Sequence, residues 1–170
     1  MKRYAMLLLV PLFLSSCRAA APLGHDPSVA RNGATTYSAS EFSFTYPDTW
    51  EARPGDGEDR IVALTRNTGF GLLVVQRYQG LGSLLELQRY EETQAEGPIG
   101  VSESSTLGGL PSFRVQSDTQ LAGRTVTQVS SGALHGGSGY HVGYYYDPAE
   151  PTMSETVSEL EDILASWVWN

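Results

Sequence analysis

Residues 101–146 read VSESSTLGGLPSFRVQSDTQLAGRTVTQVSSGALHGGSGYHVGYYY, and this stretch decides the fold. Four strand-like segments, Val101–Thr106, Pro111–Ser117, Thr125–Leu134 and Gly139–Tyr146, are separated by Gly108-Gly109, Ala122-Gly123 and Gly136-Gly137-Ser138-Gly139. Such glycine-rich breaks are hairpin connections, because tight turns that match strand twist need positive φ. The segments therefore pair antiparallel. Side chains alternate along a strand, so Tyr140, Tyr144 and Tyr146 share one face, and His141, Gly143 and Tyr145 the other.

More strands lie upstream. Phe42-Ser43-Phe44-Thr45-Tyr46 alternates aromatic and hydroxyl residues, the period of a strand with one buried face. Pro47-Asp48 turns the chain, and Trp50–Arg53 returns. Ile61–Thr65 and Phe70–Gln76 follow; the second is apolar at both parities, so a cover on each face is expected. Two helices supply it. Ser83-Leu84-Leu85-Glu86 has the form of a capping box, predicting a helix that runs to about Glu96 and stops before Gly97-Pro98. Thr152-Met153-Ser154-Glu155 repeats the form, and Met153, Val157, Leu160, Leu164 and Trp167 make a helical stripe beyond it. The fold class is α+β: an antiparallel sheet of about six or more strands with two main helices packed on it.

The front of the chain is different. Lys2 and Arg3 precede an apolar run, two small residues and Cys17, the single cysteine. This is the layout of a secretory signal. The run is too short for a membrane span, which needs about 20 apolar residues. The Leu14-Ser15-Ser16-Cys17 ending resembles the lipobox of bacterial lipoproteins, which implies cleavage after residue 16 and lipidation of Cys17. One cysteine at the cut leaves none for a disulfide. Residues 17–40 read as the lipidated cysteine and a flexible tether, and residues 41–170 as one domain.

The formal charge of −8 becomes −10 once Lys2 and Arg3 are removed. Such acidity argues against nucleic acid, whose phosphates would repel it. The expected membrane contact is the acyl chain set at Cys17, each buried methylene contributing about 0.8 kcal/mol. The expected location is the cell envelope, on the extracytoplasmic side. Arg18 stands where inner-membrane lipoproteins carry aspartate, which favours the outer membrane where two membranes exist.

Several segments together resemble a known family. Phe42–Pro47 followed by Trp50, the turn Thr106-Leu107-Gly108-Gly109-Leu110-Pro111-Ser112, and Gly139-Tyr140-His141-Val142-Gly143-Tyr144 before a terminal helix are similar to PsbP-like domains. The likeness spans roughly residues 41–167 and implies an antiparallel sheet between helices. It brings no shared catalytic residues.

The residues offer little chemistry. No serine has the glycine flanks of a nucleophile elbow. His25 falls in the tether, and His135 and His141 lie at and after the glycine turn, with Asp118 or Asp147 as acidic neighbours. A zinc site needs three or four convergent ligands, and no metal or cofactor is expected. Asp56-Gly57-Glu58-Asp59 lacks the spacing of a calcium loop. The reading is a non-catalytic, membrane-tethered binding or assembly module with a protein partner, using Trp50, His141, Tyr144 and Tyr145 as its surface. The alternatives are a small-molecule or lipid-binding lipoprotein with a pocket between sheet and helix, and a hydrolase using His135 or His141.

Overall fold

The computed structural model describes residues 28–29, 33–57, 59–95 and 97–170. The leader, Cys17 and most of the expected tether lie outside these residues. Eleven strands and two helices occur among them. A seven-stranded antiparallel sheet holds β4 (Trp50–Pro54), β5 (Arg60–Arg66), β6 (Gly71–Tyr78), β10 (Ser138–Tyr146), β9 (Arg124–His135), β8 (Leu110–Leu121) and β7 (Ile99–Leu107), in that spatial order. The stretch 101–146 supplies nearly all of one half of it, as its turns predict. Gly108-Gly109, Ala122-Gly123 and Gly136-Gly137 each carry two consecutive positive φ values, the signature of two-residue type I′ turns.

A second sheet was not legible. It orders β1 (Ser28–Val29), β2 (Ala34–Ser38), β3 (Phe42–Pro47) and β11 (Val168–Trp169). The folded unit thus begins inside the segment read as tether. Tyr37 of β2 is buried and stacks on Phe44 at 5.2 Å, so this polar-looking strand is held by one aromatic anchor. The turn after Pro47 also differs from expectation. It carries the chain from the small sheet to the large one, because β3 pairs with β2 and β11 while β4 pairs with β5.

Helix α1 (Leu84–Gln94) begins at Ser83, whose Oγ accepts from the Glu86 amide at 3.2 Å. Glu86 reaches back to the Gly82 amide at 2.8 Å rather than to Ser83. Helix α2 (Met153–Ala165) starts after Thr152, whose side chain makes no capping bond. Its buried residues are Thr156, Leu160 and Ile163, so the buried stripe is rotated from the one predicted through Met153, Val157 and Leu164. Trp167 falls beyond the helix, yet it is core: its ring stacks 4.4 Å from Phe42.

The layers follow. The small sheet and α2 cover one face of the large sheet, over a core that includes Phe42, Phe44, Leu64, Leu73, Tyr140, Val142, Leu160 and Trp167. Full burial of each aliphatic residue contributes about 2 kcal/mol. Helix α1 lies on the opposite face, where Leu87, Phe113 and Val115 form a smaller cluster.

Candidate functional site

On the α2 face, Trp50 stands opposite Arg66 in register. Both are clamped by one helix carboxylate. Trp50 Nε1 donates to Glu159 Oε2 at 2.8 Å, Arg66 Nε donates to the same oxygen at 2.7 Å, and Thr49 Oγ1 donates to Oε1 at 3.1 Å. Arg66 also meets Glu155 at 2.9 Å and donates to the Thr68 carbonyl at 2.6 Å. Burial alone would raise Glu159, but the bonds from Arg66 and Trp50 hold it below the ordinary carboxylate range. Tyr144 is a second anchor. Its hydroxyl donates to Glu161 Oε1 at 2.8 Å and accepts from Arg114 Nη2 at 2.6 Å. Burial and that carboxylate push the Tyr144 phenol up. These contacts attach α2 to the sheet. Trp50 and Tyr144 are 3 % and 0 % exposed, so they form no outer surface.

The α1 face holds the other two residues. Along it, register aligns Arg53, Ala63, Val74, Gly143, Ser130 and Val115 in one row, and Glu51, Thr65, Leu72, Tyr145, Gln128 and Ser117 in the next. Helix α1 lies over β8 and β9 and meets β10 through Glu91. Over β5 and β6 the rows are half-exposed at Ala63, Thr65 and Leu72, and Tyr145 continues them on β10. Glu51 and Arg53 pair at 3.3 Å on the rim. Tyr145 therefore belongs to an amphipathic sheet surface.

His141 does not. It is 3 % exposed and lies beneath α1. Its Nε2 is 3.2 Å from Glu91 Oε2, and its Nδ1 is 3.2 Å from Gln76 Oε1. The Tyr78 hydroxyl donates to the same Gln76 oxygen at 3.4 Å, and the Tyr78 ring lies 6.3 Å from the imidazole. Glu91 Oε1 and His141 Nε2 lack well-aligned hydrogen bonds although both are buried. Burial raises Glu91 to about 7, against the opposing effect of a Tyr78 hydrogen bond, and burial lowers His141 to about 4. Gly143 makes the room: a Cβ there would fall 2.8 Å from His141 Cε1 and 3.6 Å from the Tyr145 hydroxyl oxygen.

The four predicted surface residues thus divide two and two between opposite faces, and three of them are buried. The cause is strand alternation plus a helix on each side. Glu91, Gln76 and Tyr78 were missed. The available signal was a carboxylate continuing the spacing of Leu84 and Leu87, a position an amphipathic helix reserves for the core.

His135 and His141 do not meet. His135 stacks on Trp169 at 4.7 Å, and its Nε2 is 3.2 Å from the Asn170 carbonyl oxygen, on the face away from α1. Asp118 accepts from Thr127 at 3.0 Å and Asp147 pairs with Arg124 at 3.7 Å, so neither joins a histidine. No cluster of three metal-binding side chains occurs among the described residues. Asp56 is paired with Arg60 at 2.7 Å. The space between sheet and helix, where the small-molecule or lipid-binding alternative needs a pocket, is occupied by Leu87, Phe113 and the Glu91–His141 pair under α1 and by Leu160 and Ile163 under α2. Two surface depressions, of ≈ 570 Å³ (Asp59, Arg77, Tyr78, Gln79) and ≈ 270 Å³ (Asp118, Thr119, Gln120, Thr125), are open and include no helix residue.

No protein-family model matches the chain, and no curated protein matches its sequence. Solved structures do match its shape. Cyanobacterial PsbP (CyanoP) from Synechocystis sp. PCC 6803 aligns with a TM-score of 0.59 at 13 % identity, over 88 % of this chain and 100 % of that one. LpqN of Mycobacterium tuberculosis, a protein involved in cell envelope biogenesis, aligns with a TM-score of 0.56 at 12 % identity, over 86 % and 91 %. A protein of Bacteroides thetaiotaomicron VPI-5482 aligns with a TM-score of 0.54 at 16 % identity; this chain covers 45 % of its length and 76 % of its own. The architecture is a PsbP-like α+β fold: two helices and a large antiparallel sheet. At these identities the likeness defines the fold and leaves activity open.

Proposed function

We propose that this chain is a membrane-tethered extracytoplasmic lipoprotein whose PsbP-like domain is a non-catalytic binding or assembly module for a protein partner. The observation that carries the reading is the half-exposed part of the α1-side sheet face. Ala63, Thr65, Leu72 and Tyr145 lie there in adjacent rows with a charged Glu51–Arg53 rim. An apolar centre with a polar border, carried on rigid strands, suits a flat macromolecular contact. Tyrosine fits such a surface because its body is apolar and its tip polar. The order of apolar run, Ser15, Ser16 and Cys17 supports the tether, and the shared fold of LpqN supports an envelope role.

The test has two arms. Membranes bearing the wild type and a Leu72→Asp variant are cross-linked and the adducts identified by mass. One specific adduct, lost in the variant while the fold is retained, is expected; identical adduct patterns from both would remove the surface from the account. Separately, Cys17→Ser should abolish partition into membranes and the added lipid mass. Unchanged partition would overturn the tether and leave the surface untouched.

A further inference from the structure

We propose that Glu91 and His141 form a one-proton clamp: a single proton held between carboxylate and imidazole keeps α1 seated with the same strength across a wide acid range. The geometry carries this. Both side chains are 4 % exposed and their facing atoms are 3.2 Å apart. Gln76 Oε1 accepts at the other side of the ring, so the Nδ1 position carries hydrogen. Neutral His141 then carries its lone pair on Nε2, 3.2 Å from Glu91 Oε2 though not well aligned with it. One proton placed there leaves the pair without net charge, in either arrangement. No proton leaves an isolated buried carboxylate, and two leave an isolated buried imidazolium, each expensive to bury.

Among the charged neighbours, Arg60 of β5 stands opposite Gln76 in register and pairs with Asp56 at 2.7 Å. From β6 come Tyr78 and Gln76, from β10 His141 and Tyr145, and from α1 Tyr90, whose ring is 5.1 Å from Tyr78. Asp59 acts on Tyr78 from the approach to β5. On β8 and β9 the facing residues are Phe113, Val115, Gly132 and Ser130, none ionisable. Burial is the leading influence on both Glu91 and His141.

Each partner alone would make seating depend on pH, with opposite signs. A carboxyl raised to about 7 stabilises the seated helix fully at low pH and loses that contribution as pH rises through its window. An imidazole lowered to about 4 contributes fully above its ordinary value and loses it as pH falls. Together the released pair and the seated pair carry nearly the same number of protons between about pH 4.5 and about pH 6.5, so the dependence cancels. On the extracytoplasmic reading proposed above, the domain would keep its helix in place as the surrounding pH changes.

Hydrogen exchange of the full chain tests the clamp, with α1 amides compared against β9 and β10 amides after correction for intrinsic exchange. In the wild type, α1 opening should stay within about twofold between about pH 4.5 and about pH 6.5. In Glu91→Gln the opening should fall by tenfold or more, on the order of the linkage relation, as pH rises over that range. In His141→Gln it should rise by about as much. Slopes of the same sign in both variants, or a wild-type change of about tenfold or more, would overturn the clamp. Should a variant fail to fold, NMR titration of wild-type Glu91 and His141 decides. Loss of one proton near neutrality that moves both residues' signals together supports the clamp, whereas independent titration of each at its ordinary value defeats it.

Discussion

Arg66 and Glu159 meet at 2.7 Å between β5 and α2, and the guanidinium is 1 % exposed. A buried cation on a strand is tolerable only with a fixed counter-charge. Glu159 serves both this cation and the Trp50 indole, so one helix residue fixes the position of α2 against two strands.

Removing that carboxylate should be costly. Glu159→Ala is expected to lower stability by about 3 kcal/mol, because Arg66 is left buried with only the outer Glu155. Glu155→Ala, at a carboxylate 62 % exposed, should cost about 1 kcal/mol or less. Urea denaturation ranks the two, and an equal cost would contradict this division of roles.

The same pair sets part of the acid limit. Glu159 is held below the ordinary carboxylate range in the folded chain. Its contribution is therefore complete above that range and is lost as pH falls through the depressed value. Glu159→Gln should give a stability curve that is flatter on the acid side than that of the wild type. A parallel acid limb in the two proteins would show that other groups set it.

Gly143 is a steric requirement of the Glu91–His141 site. Gly143→Ala puts a methyl 2.8 Å from His141 Cε1, and should cost about 1–3 kcal/mol. Gly57→Ala, where a Cβ meets nothing within 4 Å, is the control and should change stability by about 0.5 kcal/mol or less. Thermal unfolding of both variants checks this, and a neutral Gly143→Ala would mean that the His141 ring can move aside.

Ala122 occupies a turn position with φ of 51°, the only non-glycine residue with positive φ among the described residues. A left-handed alanine costs roughly 1 kcal/mol. Ala122→Asn, better suited to the first position of a type I′ turn, should raise stability by about 0.5–1 kcal/mol. An unchanged or lower melting temperature would argue that the β8–β9 connection has another form in solution.

Tyr37 tests where the domain starts. Tyr37→Ala should cost about 3 kcal/mol, since the ring is buried against Phe42 and Phe44. A loss below about 0.5 kcal/mol would return residues 34–40 to the tether.

Much of this was readable in advance, and the misses have definite causes. Gly108-Gly109 and Gly136-Gly137 identify their turns because positive φ is a local demand that few residues meet. The division of β10 into a Tyr140–Tyr144 face and a His141–Tyr145 face follows from strand period alone. Thr152 and Glu155 looked like a capping box, but the Thr152 hydroxyl is buried without a partner. Val168-Trp169 is too short to read as a strand and exists by pairing with Ser43 and Phe42.

By itself the sequence determined the hairpins, the two helices and the alternation of faces, because each depends on neighbours along the chain. Only the tertiary structure decided that Trp50 and Tyr144 are anchors, that Tyr37 is core, and that Glu91 sits against His141. Glu91 and His141 are 50 positions apart in the chain, and their pairing depends on which helix covers which face of the sheet. That choice is made by burial summed over the whole domain, and no local pattern encodes it.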